Sequence, residues 1–210
     1  VLKRLEDAVN AGDKIHAVIT GIGVSNDIEG TLVGPAKEGQ VRAMIQAYDQ
    51  ASWSPKDIQY MECHGSGTPV GDQVELSSIQ ALLKTFECPD KPLSIGSVKS
   101  MIGHLLTSAG AAGFIKTILS MNQGFLPPSL NYEAPSSKSP LNDSNIKVQT
   151  RVETWEPVSA KSTRKAGVSA FGFGGINAHL LIEEFKSNSS RHIIKKSKQT
   201  VRSEERRVGK

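Results

Sequence analysis

Residues 96–113, GSVKSMIGHLLTSAGAAG, pass from an apolar strand-like run into a helix of small residues through a loop that carries Lys99 and His104. A loop between a buried strand and a buried helix is where α/β proteins often carry their chemistry, because a rigid scaffold holds its side chains in a cleft. Lys99 and His104 are five residues apart, a spacing that does not place two side chains on one face of a helix. The stretch predicts an α/β unit. Alone, it leaves open the plainer interpretation of a surface lysine and a core histidine.

Two further glycine-bounded loops follow predicted strands. Residues 64–72, HGSGTPVGD, come after an apolar run, and residues 171–177, FGFGGIN, lie between the two strands of a predicted hairpin. Imidazole rings and the main-chain N–H groups of glycine loops can stabilise an oxyanion that develops during a reaction. Neither loop fits a phosphate site, because the first lacks the lysine of a P-loop and the second does not precede a helix.

Hydrophobic periodicity and turn residues predict the other elements. Asp72 is predicted to cap the helix that begins at Gln73, with Glu75 completing a capping box. The predicted helices are residues 1–11, 39–52, 73–86 and a long helix that ends at Gly124, and the predicted strands are residues 16–23 (as a central strand), 58–63, 93–98, 146–152 and the two arms of a hairpin within 165–184.

Composition indicates a globular protein. The chain has 210 residues, of which 38% are hydrophobic and 22% are charged. It contains no apolar run near the roughly 20 residues that a membrane span requires. Residues 186–210 hold nine Lys and Arg against two Glu, so the net charge of +4 becomes −3 for the remainder, which does not indicate nucleic-acid binding. We interpret this basic tail as disordered, and a further hypothesis is that it is not native sequence.

The two cysteines predict neither a disulfide framework nor a metal site, and they favour a reducing cytoplasm. Neighbouring strand residues point to opposite faces, so Cys63 and His64 are not expected to share a proton, and Cys63 is interpreted as a core residue. Cys88 lies in a turn with no histidine nearby in sequence. The chain begins at Val1 without Met or a signal peptide, and we expect it to lie within a longer reading frame.

Taken together, the three loops resemble the β-ketoacyl synthase (ketosynthase) family of the thiolase superfamily, in its type I polyketide- and fatty-acid-synthase form. The resemblance covers about residues 1–185. It rests on ECHGSGTPVGDQVE at residues 62–75, GSVKSMIGHLLTSAGAAGFIK at residues 96–116 and GVSAFGFGGINAH at residues 167–179, in the order that the family has them.

The resemblance implies a decarboxylative Claisen condensation. An acyl chain is held as a thioester on a cysteine, and a malonyl-type extender arrives on the phosphopantetheine of an acyl carrier protein, with no other cofactor bound. The matching positions make His64 and His104 the pair that promotes decarboxylation and stabilises the enolate. Lys99 matches the lysine that organises the second histidine.

The same resemblance assigns the substrate-binding residues. Ser66 and Thr68 match hydroxyls that bind the pantetheine arm. Phe173 matches the gating aromatic residue of the last of the three glycine-bounded loops, residues 171–177, here called the closing glycine loop. Gly174 lies in the same loop, and the resemblance implies that the backbone of this loop helps to form the oxyanion hole. The sequence departs from the family pattern in having Ser66 for threonine, Met101 for the asparagine common in modular synthases and Cys63 for alanine.

In fold, the resemblance implies an α/β protein: the C-terminal half of a thiolase-like fold, with a mixed sheet and helices on both faces, spanning residues 1–185 and followed by the basic tail at 186–210. The nucleophilic cysteine would lie in the N-terminal half of the same ketosynthase, and this half, a second copy in a homodimer and the carrier protein would be the partners. The alternative is a non-condensing decarboxylase or chain-length-factor-like module with the same fold. A thiolase or carrier-independent acyltransferase fits the fold but not the loops of His64 and His104.

Overall fold

The computed structural model describes residues 1–28, 34–159 and 162–186. The predicted tail at 186–210 lies outside the described residues except for Lys186. The helices are α1 (Leu5–Asn10), α2 (Lys37–Ala51), α3 (Pro69–Thr85), α4 (Lys99–Ile102) and α5 (Ala109–Gln123), with 3-10 turns at Pro55–Asp57, Leu106–Ser108 and Pro140–Asp143. The strands are β1 (Val18–Asn26), β2 (Tyr60–Glu62), β3 (Leu93–Gly96), β4 (Phe125–Leu126), β5 (Ile146–Val148), β6 (Glu153–Thr154), β7 (Lys165–Phe171) and β8 (Ile176–Glu183).

Six of these strands form one mixed sheet in the order β1-β8-β7-β2-β3-β5. Strands β7, β2, β3 and β5 run parallel, whereas β8 is antiparallel to both β7 and β1. Because β2, β3 and β7 run in the same direction, their carboxyl ends lie at the same end of the sheet. The three glycine-bounded loops, at residues 64–72, 97–104 and 171–177, therefore all start at this carboxyl end of the sheet.

Helices cover both faces of the sheet, as the sequence predicts. Adjacent β2 residues show the division, since Tyr60 and Met61 point to opposite faces and belong to separate apolar clusters. On the face of Met61, the sheet packs against α2 and α3. On the face of Tyr60, it packs against α5. The result is a three-layer α/β/α arrangement with the buried strand β2 at its middle.

Several predicted elements are confirmed, and two features are wrong. The hairpin within 165–184 is present as β7 and β8, and the long helix ends at Gly124 in a left-handed C-cap. The predicted central strand at residues 16–23 is instead β1, at one edge of the sheet. Its apolar character comes from packing against α2, for which Gly21 and Gly23 leave room.

The second error concerns the start of α3. The helix begins at Pro69, and Thr68 caps it by accepting a hydrogen bond from the N–H of Gly71. Proline is favoured in the first turn because its missing N–H has no partner there in any case. Asp72 is therefore inside the helix, and Glu75 is free for a different role. Among the described helices, none combines the length and the apolar character that crossing a membrane would take.

Candidate functional site

His64 and His104, from two of the glycine-bounded loops, lie close together at the carboxyl end of the parallel strands. The ring centroids of His64 and His104 are 5.4 Å apart, with an interplanar angle of 78°. The ring of Phe171, at the end of β7, lies 5.9 Å from that of His64. All three loops thus contribute a side chain to one place, although Phe171 itself is not a residue that the resemblance assigns.

His64 is held as a neutral ring. Burial lowers its pKa from 6.5 to about 4, and the positive charges of Lys99 and His104 contribute to the same shift. Near neutral pH the ring therefore has one N–H donor and one free nitrogen. A neutral imidazole can donate this N–H to a developing oxyanion.

A hydrogen bond within its own loop determines which ring nitrogen of His104 can donate. Its Nδ1 accepts a hydrogen bond of 3.0 Å from the main-chain N–H of Leu106. An Nδ1 that accepts cannot carry the proton, so hydrogen bonding assigns the N–H of the neutral ring to Nε2. His104 is an exposed residue and lines the cleft described below.

Lys99 contacts the loop of His64. Its ammonium donates a hydrogen bond to the main-chain oxygen of His64. Burial lowers the pKa of Lys99, and the carboxylate of Glu75 opposes that shift. The resemblance assigns this lysine to His104, and that role stays a prediction, because the contact in the structure is to the other histidine.

Glu75 is a site residue that sequence reasoning misses. Its two carboxylate oxygens accept from the main-chain N–H groups of His64, at 2.7 Å, and Gly65, at 2.8 Å. Burial raises its pKa from 4.5 to about 7, although both hydrogen bonds act in the opposite direction. The Thr68-Pro69 pair is the signal that could have identified it, since a helix beginning at Pro69 turns Glu75 back toward β2.

The two hydroxyls predicted to bind a pantetheine arm are neighbours in space. Ser66 Oγ and Thr68 Oγ1 lie 2.9 Å apart, on a partly exposed loop. The loop is held by Asp72, whose carboxylate accepts from the N–H of Gly67 at 3.1 Å. Both hydroxyls have partners within the chain, since Thr68 caps α3 and Ser66 Oγ accepts from the N–H of Thr68 at 3.4 Å.

The closing glycine loop presents Phe173 to the surface. Its side chain is 74% exposed, and Gly174 adopts a positive φ of 78° with open space where a Cβ would be. The base of this loop is fixed by Asn177, whose amide donates to Asp27 at 2.7 Å and to the carbonyl of Gly175 at 3.0 Å. An exposed aromatic ring on a loop with a fixed base is suited to the predicted gating role.

Neither cysteine is positioned to act as a nucleophile. Cys63 is buried, and burial raises the pKa of its thiol well above the ordinary value. Burial also raises the pKa of Cys88. Within the described part of the chain, no three His, Cys, Asp or Glu side chains are grouped so that they could hold a metal ion.

A cleft of about 730 Å³ opens beside the site. Its lining includes Ser66, Lys99 and His104 together with the extended segment that contains Leu130 and Lys138. The cleft therefore joins the predicted arm-binding loop to the histidine loop. Its size is in the range that accommodates a small-molecule ligand or part of a longer one.

Comparison with known families and proteins shows what this chain is similar to. The family model described as "Beta-ketoacyl synthase, C-terminal domain" matches residues 16–133. The chain is 37% identical over 202 residues to highly reducing polyketide synthase 40 of Fusarium mangiferae, a match that covers 96% of this chain and 8% of that protein. It is 41% identical over 191 residues to a highly reducing polyketide synthase of Aspergillus terreus, a match that covers 90% of this chain and 7% of that protein.

The fold has relatives among solved structures. The ketosynthase from module 6 of the bacillaene synthase of Bacillus subtilis 168 superimposes with a TM-score of 0.83 and 36% sequence identity. The match covers 88% of this chain and 33% of the solved chain. The mixed sheet with helices on both faces is thus the thiolase-like arrangement that the sequence predicts. The chain spans one third of that ketosynthase and a smaller share of the curated synthases.

Proposed function

Since this chain belongs to the β-ketoacyl synthase family, as its C-terminal domain, we propose that it supplies the histidine-bearing part of a ketosynthase. The proposed reaction is the decarboxylative Claisen condensation of an acyl thioester with a malonyl-type extender, in polyketide or fatty-acid biosynthesis. The observation that carries the proposal is the approach of His64 and His104, with ring centroids 5.4 Å apart at the end of two parallel strands.

In the proposed reaction, the bond between the α-carbon and the carboxylate of the extender breaks and CO₂ leaves. The electron pair passes to the thioester oxygen as an enolate, and N–H donors of His64 and His104 stabilise its negative charge. The α-carbon then attacks the carbonyl of the enzyme-bound acyl thioester, and the nucleophile leaves as a thiolate. His64 takes part as a neutral ring, which donates one N–H to the enolate oxygen.

The remaining assigned residues would bind and orient the substrate. Ser66 and Thr68 would contact the pantetheine arm of the carrier, and the adjacent cleft would receive it. Phe173 and Gly174 would close over the bound acyl group. Lys99 would hold the histidine loops together by its charge and by its hydrogen bond to the carbonyl of His64.

The nucleophilic cysteine is proposed to lie in the part of the ketosynthase that this chain does not span. Cys63 and Cys88 are unsuited to the role, because burial raises the pKa of both thiols. The proposed partners are therefore the N-terminal half of the same ketosynthase, a second copy in a homodimer and an acyl carrier protein. The two free cysteines favour a cytoplasmic location.

The test uses the complete ketosynthase encoded by the longer reading frame. Replacing His64 or His104 by Ala should lower malonyl decarboxylation by about 10²-fold, the usual effect of removing one oxyanion donor. His16→Ala is the matched control, because His16 is exposed before β1. Histidine variants that decarboxylate as fast as the control, or a wild-type protein that forms no ketoacyl product, would contradict the proposal.

The residue at the nucleophile position separates condensation from the alternative. A cysteine about one half-domain upstream of Val1 would support a condensing enzyme. Any other residue there would favour a non-condensing decarboxylase or a chain-length-factor-like module. Reading the nucleotide sequence upstream of Val1 in frame is the direct measurement.

A further inference from the structure

A buried carboxylate ties together the three chain segments that carry the histidine site. Glu62, at the end of β2, is 1% exposed. Its Oε2 accepts from the hydroxyl of Tyr60 and from the ammonium of Lys116, both at 2.7 Å, and its Oε1 accepts from the main-chain N–H of Val98 at 2.6 Å. Lys116 also donates to the hydroxyl of Tyr60 at 2.8 Å, which closes the network.

Each partner belongs to a different part of the site. Glu62 precedes His64 by two residues, and Val98 directly precedes Lys99. Lys116 lies on α5, the helix that follows His104. The carboxylate of Glu62 thus joins three segments: strand β2, which leads to His64, the start of the loop that carries Lys99 and His104, and helix α5, which follows that loop.

Two glycines make room for this network. A Cβ on Gly96 would lie 2.5 Å from the hydroxyl of Tyr60, and a Cβ on Gly113 would lie 3.0 Å from Cγ of Glu62. The first glycine ends β3 and the second is in the first half of α5. Close approach of both elements to β2 therefore depends on glycine at these positions.

We propose that the Glu62–Lys116 ion pair is a positioning device that sets the distance between the His64 and His104 loops. The inference rests on the proposed function of the two histidines. Buried ion pairs contribute little net stability compared with apolar side chains of the same size, but they can specify one arrangement of the elements that they join. Here the arrangement is the one that brings two imidazole donors to the same substrate oxygen.

The ionised form of the pair is what makes the geometry specific. An ionised Glu62 accepts three hydrogen bonds, one from each adjoining element and one from its own strand. A glutamine would keep the oxygen for Val98, but its amide group would be a donor facing the ammonium of Lys116. The helix and the loop would then separate or rotate, and a displacement of about 1 Å can cost about 10²-fold in rate.

The test compares Glu62→Gln with Glu184→Gln in the complete ketosynthase. The control breaks the Arg164–Glu184 ion pair of 2.7 Å. Arg164 directly precedes β7, so this pair lies at the end of the sheet opposite the histidines. For Glu62→Gln we expect malonyl decarboxylation to fall between about tenfold and 10²-fold, while acylation of the nucleophile stays within about twofold of wild type. Both rates in Glu184→Gln should match wild type.

A merely structural role predicts a different result, in which both half-reactions fall together with the melting temperature. That outcome, or a Glu62→Gln protein with the rates of the control, would overturn the inference. If Glu62→Gln does not fold, Tyr60→Phe keeps both charges and removes one hydrogen bond, and it should still lower decarboxylation relative to acylation. Equal rates in Tyr60→Phe and wild type would overturn the inference too. A wild-type enzyme that does not decarboxylate would refute the proposed function itself.

Discussion

His64 owes its neutral state to its surroundings and not to its sequence neighbours. Because burial and the charges of Lys99 and His104 lower its pKa to about 4, the folded protein resists protonation of this ring where an unfolded chain, with a pKa of 6.5, does not. The unfolded state therefore binds more protons between these values, and this histidine makes the fold less stable as pH falls from 6.5 toward 4.

We predict that the His64 ring in the complete ketosynthase titrates with a midpoint near pH 4. NMR of protein labelled at histidine Cε1, with His64→Ala to assign the signal, measures this midpoint directly. Lys99→Met should raise it, because one of the charges that disfavour the imidazolium is then absent. A midpoint near 6.5 in the wild-type protein would show that the ring is not buried as described.

Glu75 supports the loop of His64 by accepting two main-chain N–H groups with one carboxylate. Glu75→Gln replaces one of the two acceptor oxygens by a donor, so one half-buried N–H loses its partner. We expect the free energy of unfolding at pH 7 to fall by about 1–3 kcal/mol, the usual cost of an unsatisfied buried group. The midpoint of denaturant unfolding measures this loss.

The contribution of Glu75 to the free energy of unfolding also depends on pH. The folded state raises the pKa of Glu75 from 4.5 to about 7, so the folded protein binds more protons than the unfolded chain between these values. Its contribution to stability therefore decreases as pH rises from 4.5 to 7, and Glu75→Gln should remove this slope. The matched control Glu133→Gln, at an exposed position, should leave both the slope and the stability unchanged.

Individual site residues differ in how far the sequence reveals them. His64, Lys99 and His104 stand in long motifs, and the structure brings the two histidine rings together. Glu62 and Lys116 are visible in hindsight as single charges within apolar runs, because a buried charge requires a partner. Their pairing depends on how α5 packs on β2, and the sequence alone does not specify that.

Among the elements, α2 packs against β1 through two glycines. A Cβ on Gly23 would lie 1.7 Å from the main-chain oxygen of Ala43, and one on Gly21 would lie 2.2 Å from that of Ala47. Main-chain atoms of a helix cannot move away as a flexible side chain can. The close contact between strand and helix therefore requires glycine at both positions.

We predict that Gly23→Ala lowers the free energy of unfolding by at least about 2 kcal/mol, as overpacking of a close contact does. Thermal or denaturant unfolding of the complete ketosynthase measures the effect. Gly172→Ala is the control, because a Cβ there would meet its nearest atom at 3.7 Å, an ordinary contact distance. Equal stabilities of the two variants would show that α2 does not lie against β1 as closely as described.

Length decides which elements the sequence predicts well. Helices α2 and α5 have 15 residues each, long enough for their hydrophobic periodicity to be clear. Strands β4 and β6 have two residues each, too few to show any alternation, and they are not among the predicted strands. The edge position of β1 is also not evident, since packing on α2 makes it as apolar as a central strand.

At the level of the whole chain, α5 has one face on the sheet and another that nothing in the described residues covers. Ile115 is 55% exposed and Leu119 is 57% exposed. With Ala111 they form a stripe at a spacing of four residues, along the side of the helix away from the Tyr60 cluster. Exposed apolar stripes of this kind mark surfaces that another part of a protein covers. The chain spans 33% of the solved bacillaene ketosynthase, and we propose that the remainder covers this stripe in the complete ketosynthase.

The last prediction tests that coverage. Ile115→Lys places a charge where the proposed interface buries an isoleucine, so it should remove about 1.5–3 kcal/mol of apolar burial and add the cost of a buried ammonium. We expect the complete ketosynthase to lose thermal stability and acylation activity together, because its two halves no longer pack. Val152→Lys is the matched control, since Val152 is 62% exposed but lies outside α5, between β5 and β6. If Ile115→Lys retains the melting temperature of the control, the stripe is a solvent-exposed surface, and the nucleophile reaches His64 and His104 by some other arrangement of the two halves.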